Sequence, residues 1–393
     1  MAEILQKQMR LGFLLQPEGV HTNTGTNDPV GDGTLLGVHR WTNPQDATAN
    51  YYEILGVVGT PKPDPAIENY TLNAISSNTM FIEEDRAKTN KTAVMPKVEI
   101  ECYATPVVAS AIFMGALQQV SQNQGTASTK KINPYDNTID YTINNNVTNT
   151  YSTGLLFTIA GYGIQGADDP SSDGFILTNA VVDSMTLKIS NASGGEERLA
   201  KITATFIGQS LQENILFSGT WQESESYIFN QNDVENDEFN LALTIDTKNI
   251  TTVGTTTFSS GEICWKDFEF SITNNYSSAC MTTSGAKNLR RGNPEITGTL
   301  NLPHNSATVA TFGQYKEGAL IALNLTNGYA VATNKYLAID IDQAQLTANP
   351  RSTDGDYIAQ QLQFNVLKPT AGWGSLVMIS DGVTWGSIES VIS

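Results

Sequence analysis

Alternation of apolar and polar residues recurs along most of this chain and restricts its fold more than any other feature. Successive side chains of a β-strand point to opposite faces, so a period of two predicts a strand with one buried face. The residues on either side of the turn-rich stretch 191–195 predict a β-hairpin. The clearest alternating runs are 181–190, 200–207, 239–246, 266–273, 295–302, 336–347 and 357–367. The chain is therefore predicted to be mainly β.

Two short segments are predicted to be helices. Thr105 is a good N-cap and Pro106 a good first helical residue. A second helix is expected to begin at Asn305 or Ser306 and to end at Gly318. The apolar residues of the first helix are expected on or near one face: Val107, Val108, Ala111, Ile112, Ala116 and Val120.

The surroundings of the two predicted helices indicate an internal duplication. Each helix follows a basic stretch, a proline (Pro96 or Pro294) and an alternating strand. Further strands follow in the same order, and we match Asp183 with Asp340. The repeat predicts a first β domain over residues 1–221, with long N-terminal loops over 22–65 and a polar insertion at about 122–152. An acidic linker over 222–238 and a second β domain over 239–393, with a C-terminal extension, complete the chain.

The charge balance excludes binding to nucleic acid by summed charge. Lys and Arg number 22 against 40 Asp and Glu, which gives a net charge of −18, whereas phosphate binding requires Lys and Arg. Docking on an anionic membrane surface is disfavoured for the same reason. The longest nearly apolar run, 106–117, is too short to span a bilayer, and no signal peptide is apparent at the N-terminus.

One glycine motif resembles a nucleotide site but lacks its context. Residues 161–166 spell G-x-G-x-x-G, and that motif holds a pyrophosphate at a helix N-terminus. Here an anionic, helix-breaking segment follows, Ala167-Asp168-Asp169-Pro170. We therefore expect no dinucleotide to bind.

Other polar clusters match no catalytic or metal-binding pattern. The histidines (His21, His39, His304) lack a ligand spacing, the aspartates of 168–173 and 354–356 do not fit an EF-hand, and Cys102, Cys264 and Cys280 fit no zinc motif. We expect no catalytic, cofactor-binding or metal-binding residues and no enzyme activity. The basic residues Lys287, Arg290 and Arg291 are expected in a loop, where phosphate, solvent or an acidic neighbour are the candidate partners; we favour the neighbour.

Two stretches resemble the strand signature of phage tail tube proteins. The first is the run 180–189, a Gly-Gly turn and the strand that ends at Phe206-Ile207-Gly208. The second is the run 266–275, which ends in Asn274-Asn275, followed by the approach 292–294 and the strand 295–300. The resemblance extends over about residues 82–369. It implies two fused tail-tube-like β-barrel or sandwich domains, each with a flanking short helix.

The same resemblance implies a function. The chain is expected to be a structural virion protein whose rings stack into a hollow conduit for genome delivery, in the virion tail after assembly in the host cytoplasm. Expected partners are other copies of the chain, the tape measure protein in the lumen, the tail terminator, and baseplate or tip proteins. Viral DNA is expected to pass through an acidic lumen without specific binding. Two domains per chain favour a trimeric ring with pseudo-sixfold symmetry, with a hexamer as the other option.

Two other classes stay open from the sequence. A capsid or tail-fibre protein would also be rich in strands but does not require the repeated helix. A carbohydrate-binding β-sandwich is expected to cluster aromatic residues, whereas the five tryptophans are scattered at Trp41, Trp221, Trp265, Trp373 and Trp385.

Overall fold

The structure is a computed structural model. The residues it describes are 9–17, 50–54, 61–65, 67–70, 90–117, 129–132, 142–143, 155–165, 169–170, 174–190, 199–208, 210–215, 220–222, 239–246, 256–258, 265–282, 285–304, 320–327, 336–354, 357–368 and 376–380.

The described residues are mainly β, as the alternation predicts, with one helix among them. The elements of residues 9–222 are β1 (Met9–Pro17), β2 (Asn50–Glu53), β3 (Lys62–Asp64), β4 (Ile67–Tyr70), β5 (Asn90–Val94), β6 (Lys97–Tyr103), α1 (Pro106–Leu117), β7 (Thr129–Ile132), β8 (Thr142–Ile143), β9 (Leu155–Gln165), β10 (Asp169–Pro170), β11 (Gly174–Ser190), β12 (Lys201–Ile207), β13 (Ser210–Ile215) and β14 (Thr220–Gln222). Those of residues 239–380 are β15 (Phe239–Asp246), β16 (Thr256–Phe258), β17 (Asp267–Thr273), β18 (Ser277–Thr282), β19 (Gly285–Arg290), β20 (Glu295–Pro303), β21 (Leu320–Asn327), β22 (Tyr336–Ala348), β23 (Arg351–Asp354), β24 (Tyr357–Val366) and β25 (Val377–Ser380).

The strand ladders follow the same antiparallel order in two parts of the chain. In the first strand set, β6 pairs with β12, β12 with β11, β11 with β9, and β9 with β1. In the second strand set, β20 pairs with β24, β24 with β22, β22 with β21, and β21 with β15. A separate hairpin precedes β6 (β4–β5) and β20 (β18–β19) alike. The order of elements therefore repeats at the level of hydrogen-bonded pairs.

The ladder register corrects one match made from the sequence. Asp340 lies opposite Asn324 in the ladder between β22 and β21. Asp183 lies beyond the corresponding ladder between β11 and β9, which ends at Ala180. The match of Asp183 with Asp340 is therefore wrong, because a similar local sequence does not fix the register between distant strands.

β17 joins the two strand sets into one sheet. It pairs with β11 of the first set along one side and with β20 of the second set along the other. The result is a continuous antiparallel sheet in the order β6–β12–β11–β17–β20–β24. Phe206, Phe268, Phe270 and Phe364 are fully buried on one face of this sheet. Neighbouring residues of the same strands, which point to the other face, are polar: Thr205, Asp267, Glu269, Ser271, Gln363 and Asn365.

Helix α1 packs across the buried face. The backbone N–H of Val108 donates to Thr105 Oγ1 (3.4 Å), which confirms the predicted N-cap. All twelve residues of α1 are buried, so the expectation that its apolar residues follow one face is wrong. A helix that is apolar all round belongs in a core, and here it contacts β9 and β11 of the first set together with β7, β17 and β25.

Some predicted segments differ from the structure or lie outside its described residues. The N-terminal loop region contains the strands β2 and β3, and the polar insertion contains β7 and β8. β7 pairs with β25 and β8 with β19, so the insertion pairs with strands that follow β17 in the chain. The predicted second helix after residue 304 and linker residues 223–238 lie outside the described residues.

Replacement of Gly298 by Ala tests the packing between β20 and β24. A Cβ at this position clashes with the Phe364 ring, at Cζ and at Cε2 (2.6 Å). Because Phe364 is buried and its ring must shift, Gly298→Ala is expected to lower the free energy of unfolding by about 2 kcal/mol. Chemical denaturation measures this loss. Thr297→Ala, on the opposite face of the same strand, is the control; an equal loss in both variants would contradict the packing argument.

Candidate functional site

The polar face of the six-stranded sheet carries hydrogen bonds between side chains of neighbouring strands. Cross-strand pairs hold it together: Thr186 Oγ1 and Ser271 Oγ are 2.9 Å apart, and Ser190 Oγ donates to Asp267 Oδ1 at 2.6 Å. Asn301 Nδ2 donates to Asp267 Oδ2 at 3.3 Å. These contacts link β11, β17 and β20 side by side.

This polar face is net negative. Its charged residues are five carboxylates and three lysines, namely Glu99, Glu101, Asp267, Glu269, Glu295, Lys97, Lys188 and Lys201. The remaining positions are mostly Thr, Ser, Asn and Gln. Such a face is hydrated and repels phosphate groups.

A buried asparagine closes the junction between the strand sets. Asn274, which follows β17, has a solvent exposure of 0%. Its Nδ2 donates to the carbonyl oxygen of Ala116 and to that of Val182, both at 2.8 Å. The Asn274 side chain thus satisfies backbone acceptors of α1 and β11 that lie in the core, where an unsatisfied polar group is costly.

Arg291 completes this junction. Its Nε donates to Asn274 Oδ1 at 2.9 Å and its Nη2 to the Ala116 carbonyl oxygen at 3.3 Å. A cation at the last turn of a helix is favourable because the carbonyl groups there carry partial negative charge. We call Ala116, Val182, Asp183, Asn274 and Arg291 the helix-end junction.

Asp183 links the backbone of the same junction. Its carbonyl oxygen accepts from Asn274 N at 2.7 Å, and its Oδ1 accepts from Tyr276 N at 2.8 Å. Burial raises the pKa of Asp183, and the hydrogen bond from Tyr276 lowers it in part. The intervening Asn275 has a φ of 53°, a left-handed conformation that Asn adopts more readily than most residues. The two asparagines thus turn the chain and hold it against β11.

The structure corrects the expectation for the basic residues. Lys287 and Arg290 lie in strand β19 rather than in a loop. The guanidinium group of Arg291 binds an amide oxygen and a carbonyl oxygen within its own chain. Sequence reasoning noted Asn274-Asn275 and Arg291 separately but missed that they meet at the end of α1. The signal was an apolar helix without a basic residue in its last turn, which leaves its carbonyl groups to be capped by distant residues.

The glycine motif lies in a strand. Residues 161–165 belong to β9, where Gly161 lies opposite Leu11 of β1 and Phe175 of β11. β10 pairs back onto the end of β9. The dinucleotide motif requires a turn between a strand and a helix. Residues 161–165 instead continue a strand that pairs with another strand.

Cys102 is a buried free thiol in β6. Burial, with a smaller contribution from Glu101, raises its pKa to about 12. The thiolate is the nucleophilic form, so Cys102 is unreactive at neutral pH. The side chains of Cys264 and Cys280 lie outside the described residues.

The remaining candidates are dispersed. His304 follows β20, and its backbone N–H donates to the Ile358 carbonyl oxygen; His21 and His39 lie outside the described residues. Trp265 is buried before β17. Of the two aspartate segments, only 169–170 and 354 are described, in β10 and β23.

Within the described ranges, no group of three or more His, Cys, Asp or Glu side chains is arranged to hold a metal ion. No helix in the described part of the chain has the length and apolar character needed to cross a membrane. No protein-family model matches the chain, and no curated protein matches it. The sheet surface and the helix-end junction are therefore the features from which a function must be argued.

Asn274→Ala tests the helix-end junction. The change removes the donor to two buried carbonyl groups and the acceptor of Arg291, so the free energy of unfolding is expected to fall by about 3 kcal/mol. Chemical denaturation is the measurement. Asn275→Gly is the matched control and should change stability by less than about 1 kcal/mol, because glycine tolerates the same φ. A loss below that of the control would contradict the role of Asn274.

Asp183→Asn tests the electrostatics of the junction. Because burial raises the folded-state pKa of Asp183, ionisation of this carboxyl group opposes folding once the pH exceeds the unfolded-state value. Asn stays neutral and keeps the oxygen that accepts from Tyr276. The unfolding free energy of the variant minus that of the wild type should therefore increase from about pH 3 to pH 7. A difference that is constant or decreases over this range would contradict the assignment.

Proposed function

We propose that this chain is a structural virion protein, the subunit of a phage tail tube that polymerises as stacked rings into a hollow conduit for genome delivery. The two strand sets are, in this proposal, two fused copies of one tail-tube-like β domain. The observation that carries the proposal is the position of β17, which continues the sheet of the first set into the second. Repetition of that pairing from chain to chain generates a closed ring.

Ring closure also accounts for the sheet edges. A long antiparallel sheet ends in strands with unpaired N–H and C=O groups, which invite aggregation. A barrel closed by successive chains has no such edges. The low charge content of the whole chain, 16% Asp, Glu, Lys and Arg, suits a protein with large subunit contacts, because interface cores are depleted in charge.

The polar face of the sheet supports the assignment of a bore. Alternation makes the face opposite α1 hydrophilic, and its excess of carboxylates over lysines disfavours adhesion of DNA phosphates. In the proposed tube this face lines the lumen, so DNA passes without specific binding. The chain performs no chemical reaction there and holds no cofactor or metal.

The number of strand sets leads to the proposed stoichiometry. With two sets per chain, three chains supply six sets and give pseudo-sixfold symmetry. Fusion places the second set at a high effective concentration next to the first, so fewer association steps are needed. The partners in this function are the tape measure protein during assembly, the tail terminator and the baseplate or tip proteins, in the virion tail after assembly in the host cytoplasm.

Electron microscopy of the purified chain tests the function. Rings or tubes are expected, and a reconstruction without imposed symmetry should show three chains per ring with alternating, inequivalent halves. Six chains per ring would contradict the fusion of two tube domains. Dispersed particles at all concentrations would contradict the tube itself and favour another virion β-protein or a carbohydrate-binding β-sandwich.

A further inference from the structure

Strand β3 is short and rich in proline. It lies within the sequence Pro61-Lys62-Pro63-Asp64-Pro65. Among the described strands it forms one ladder, with β6, in which Lys62 lies opposite Glu99 and Asp64 opposite Lys97. β3 is therefore the last described strand at this end of the sheet.

The direction of each backbone group in β3 follows from the ladder. In an antiparallel strand the N–H and C=O of one residue point to the same side, and successive residues point to opposite sides. Gly208 N donates to the Pro96 carbonyl oxygen, and Ala104 N to the Ala200 carbonyl oxygen. The backbone N–H and C=O groups of even-numbered residues of β6 thus point towards β12, and those of odd-numbered residues point towards β3. Lys62 and Asp64 must make the backbone bonds to β6, so the C=O groups of the three prolines point away from β6, within the plane of the sheet.

β17 is the counterpart of β3 in the second strand set, since it pairs with β20 as β3 pairs with β6. The bond from Asn274 N to the Asp183 carbonyl oxygen fixes which residues of β17 face β11. They are the even-numbered ones, Phe268, Phe270 and Ile272, and their N–H groups complete the joint between the sets. Val98 of β6 lies opposite Phe206, and Gly298 of β20 lies opposite Phe364. When Val98 is aligned with Gly298, the three positions of β17 correspond to Pro61, Pro63 and Pro65 of β3. Each position that donates in β17 is therefore a proline in β3.

We propose that the outer edge of β3 is an acceptor-only edge, and that its partner is the strand β23 of a second copy of this chain. This inference rests on the proposed function, because it applies the β11–β17 joint to the contact between chains. Proline contributes no N–H but keeps its C=O, so the edge offers carbonyl oxygens, foremost those of the half-buried Pro63 and Pro65, and no N–H donor. A strand that joins it must supply all the donors.

The β23 edge has the complementary character. Gln361 N donates to the Pro350 carbonyl oxygen, so even-numbered residues face β24, and the N–H groups of residues 349, 351 and 353 point to the opposite side. In the joint between β11 and β17, Leu187 lies opposite Phe270. The corresponding residues of β23 and β3 are Arg351 and Pro63, so these two residues are expected to lie opposite each other between chains. Asn349, at the start of this edge, is 3% exposed, and its side-chain Nδ2 and Oδ1 have no hydrogen-bond partner among the described residues. A buried unsatisfied amide at an edge is a group that association can satisfy.

The prolines make the joint between chains weaker than the joint within a chain. The contact has acceptors on one side only, so it has half the ladder bonds of the β11–β17 joint. Proline at a sheet edge also prevents indiscriminate pairing with other strands. Free chains thus resist edge-to-edge polymerisation, and a ring becomes stable when all of its joints close together.

Pro63→Thr tests this edge because it restores one outward N–H. The variant should self-associate about fivefold more tightly than the wild type, as expected for one added hydrogen bond. Analytical ultracentrifugation over a range of concentrations measures the association, and thermal unfolding of the dilute chain verifies its fold. Pro294→Thr, an exposed proline that precedes β20, is the matched control. Equal association of the Pro63 and Pro294 variants would overturn the proposal.

Thr353→Pro tests the partner edge. Thr353 is exposed and its N–H points away from β24, so proline should leave the β23–β24 ladder intact. Loss of rings with an unchanged thermal unfolding temperature is the expected result, and rings as abundant as in the wild type would overturn β23 as the partner. If the wild type forms no rings, the proposed function fails, whereas the comparison of Pro63→Thr with Pro294→Thr still decides whether the β3 edge limits association.

Discussion

The N–H and C=O groups along a sheet edge need partners, and the way β17 meets this need determines the rest of the structure. β17 uses alternate residues to bond β20 and β11, so no edge is left between the two strand sets. The same strand contributes Phe268 and Phe270 to the core, where the ring of Phe270 lies 6.3 Å from that of Phe113 in α1. One strand therefore supplies both the continuity of the sheet and part of the surface on which the helix packs.

The helix-end junction holds this arrangement in place. Because α1 is buried on all sides, water cannot satisfy the carbonyl groups of its last turn, and Asn274 and Arg291 bind the Ala116 carbonyl instead. Both residues belong to the part of the chain around β17 and β20, whereas Ala116 belongs to the first set. The capping of one helix thus depends on the correct docking of the two sets.

The sequence was sufficient for the features that depend on local pattern. Alternation identified the hairpin of β11 and β12, and Thr105 with Pro106 identified the start of α1. The all-round burial of α1 was not predictable in this way, because it depends on strands distant in sequence. β3 was assigned to a loop since three prolines in five residues usually mark turns; only the ladder with β6 shows that they occupy alternate positions of an edge strand.

The site was predictable only in part. Asn274-Asn275 was recognised as part of a resemblance, but its bonds to Ala116 and Val182 join residues far apart in the chain and leave no local signal. Arg291 was expected to meet an acidic neighbour because the chain has a net charge of −18. In the structure, Arg291 donates to Asn274 Oδ1 and to the Ala116 carbonyl oxygen at the end of a buried helix.

A disulfide between chains tests the central claim, that the internal joint is repeated between copies. In the β11–β17 joint, Lys188 lies opposite Glu269, and the corresponding residues of two different chains are Ser352 and Lys62. Lys188→Cys with Glu269→Cys, the internal control, should form a disulfide within one chain, since opposed residues of this kind are about 4.5 Å apart at Cα. Lys62→Cys with Ser352→Cys, oxidised after assembly, should give covalent rings of three chains on a denaturing gel. Formation of the internal disulfide without any link between chains would contradict the account.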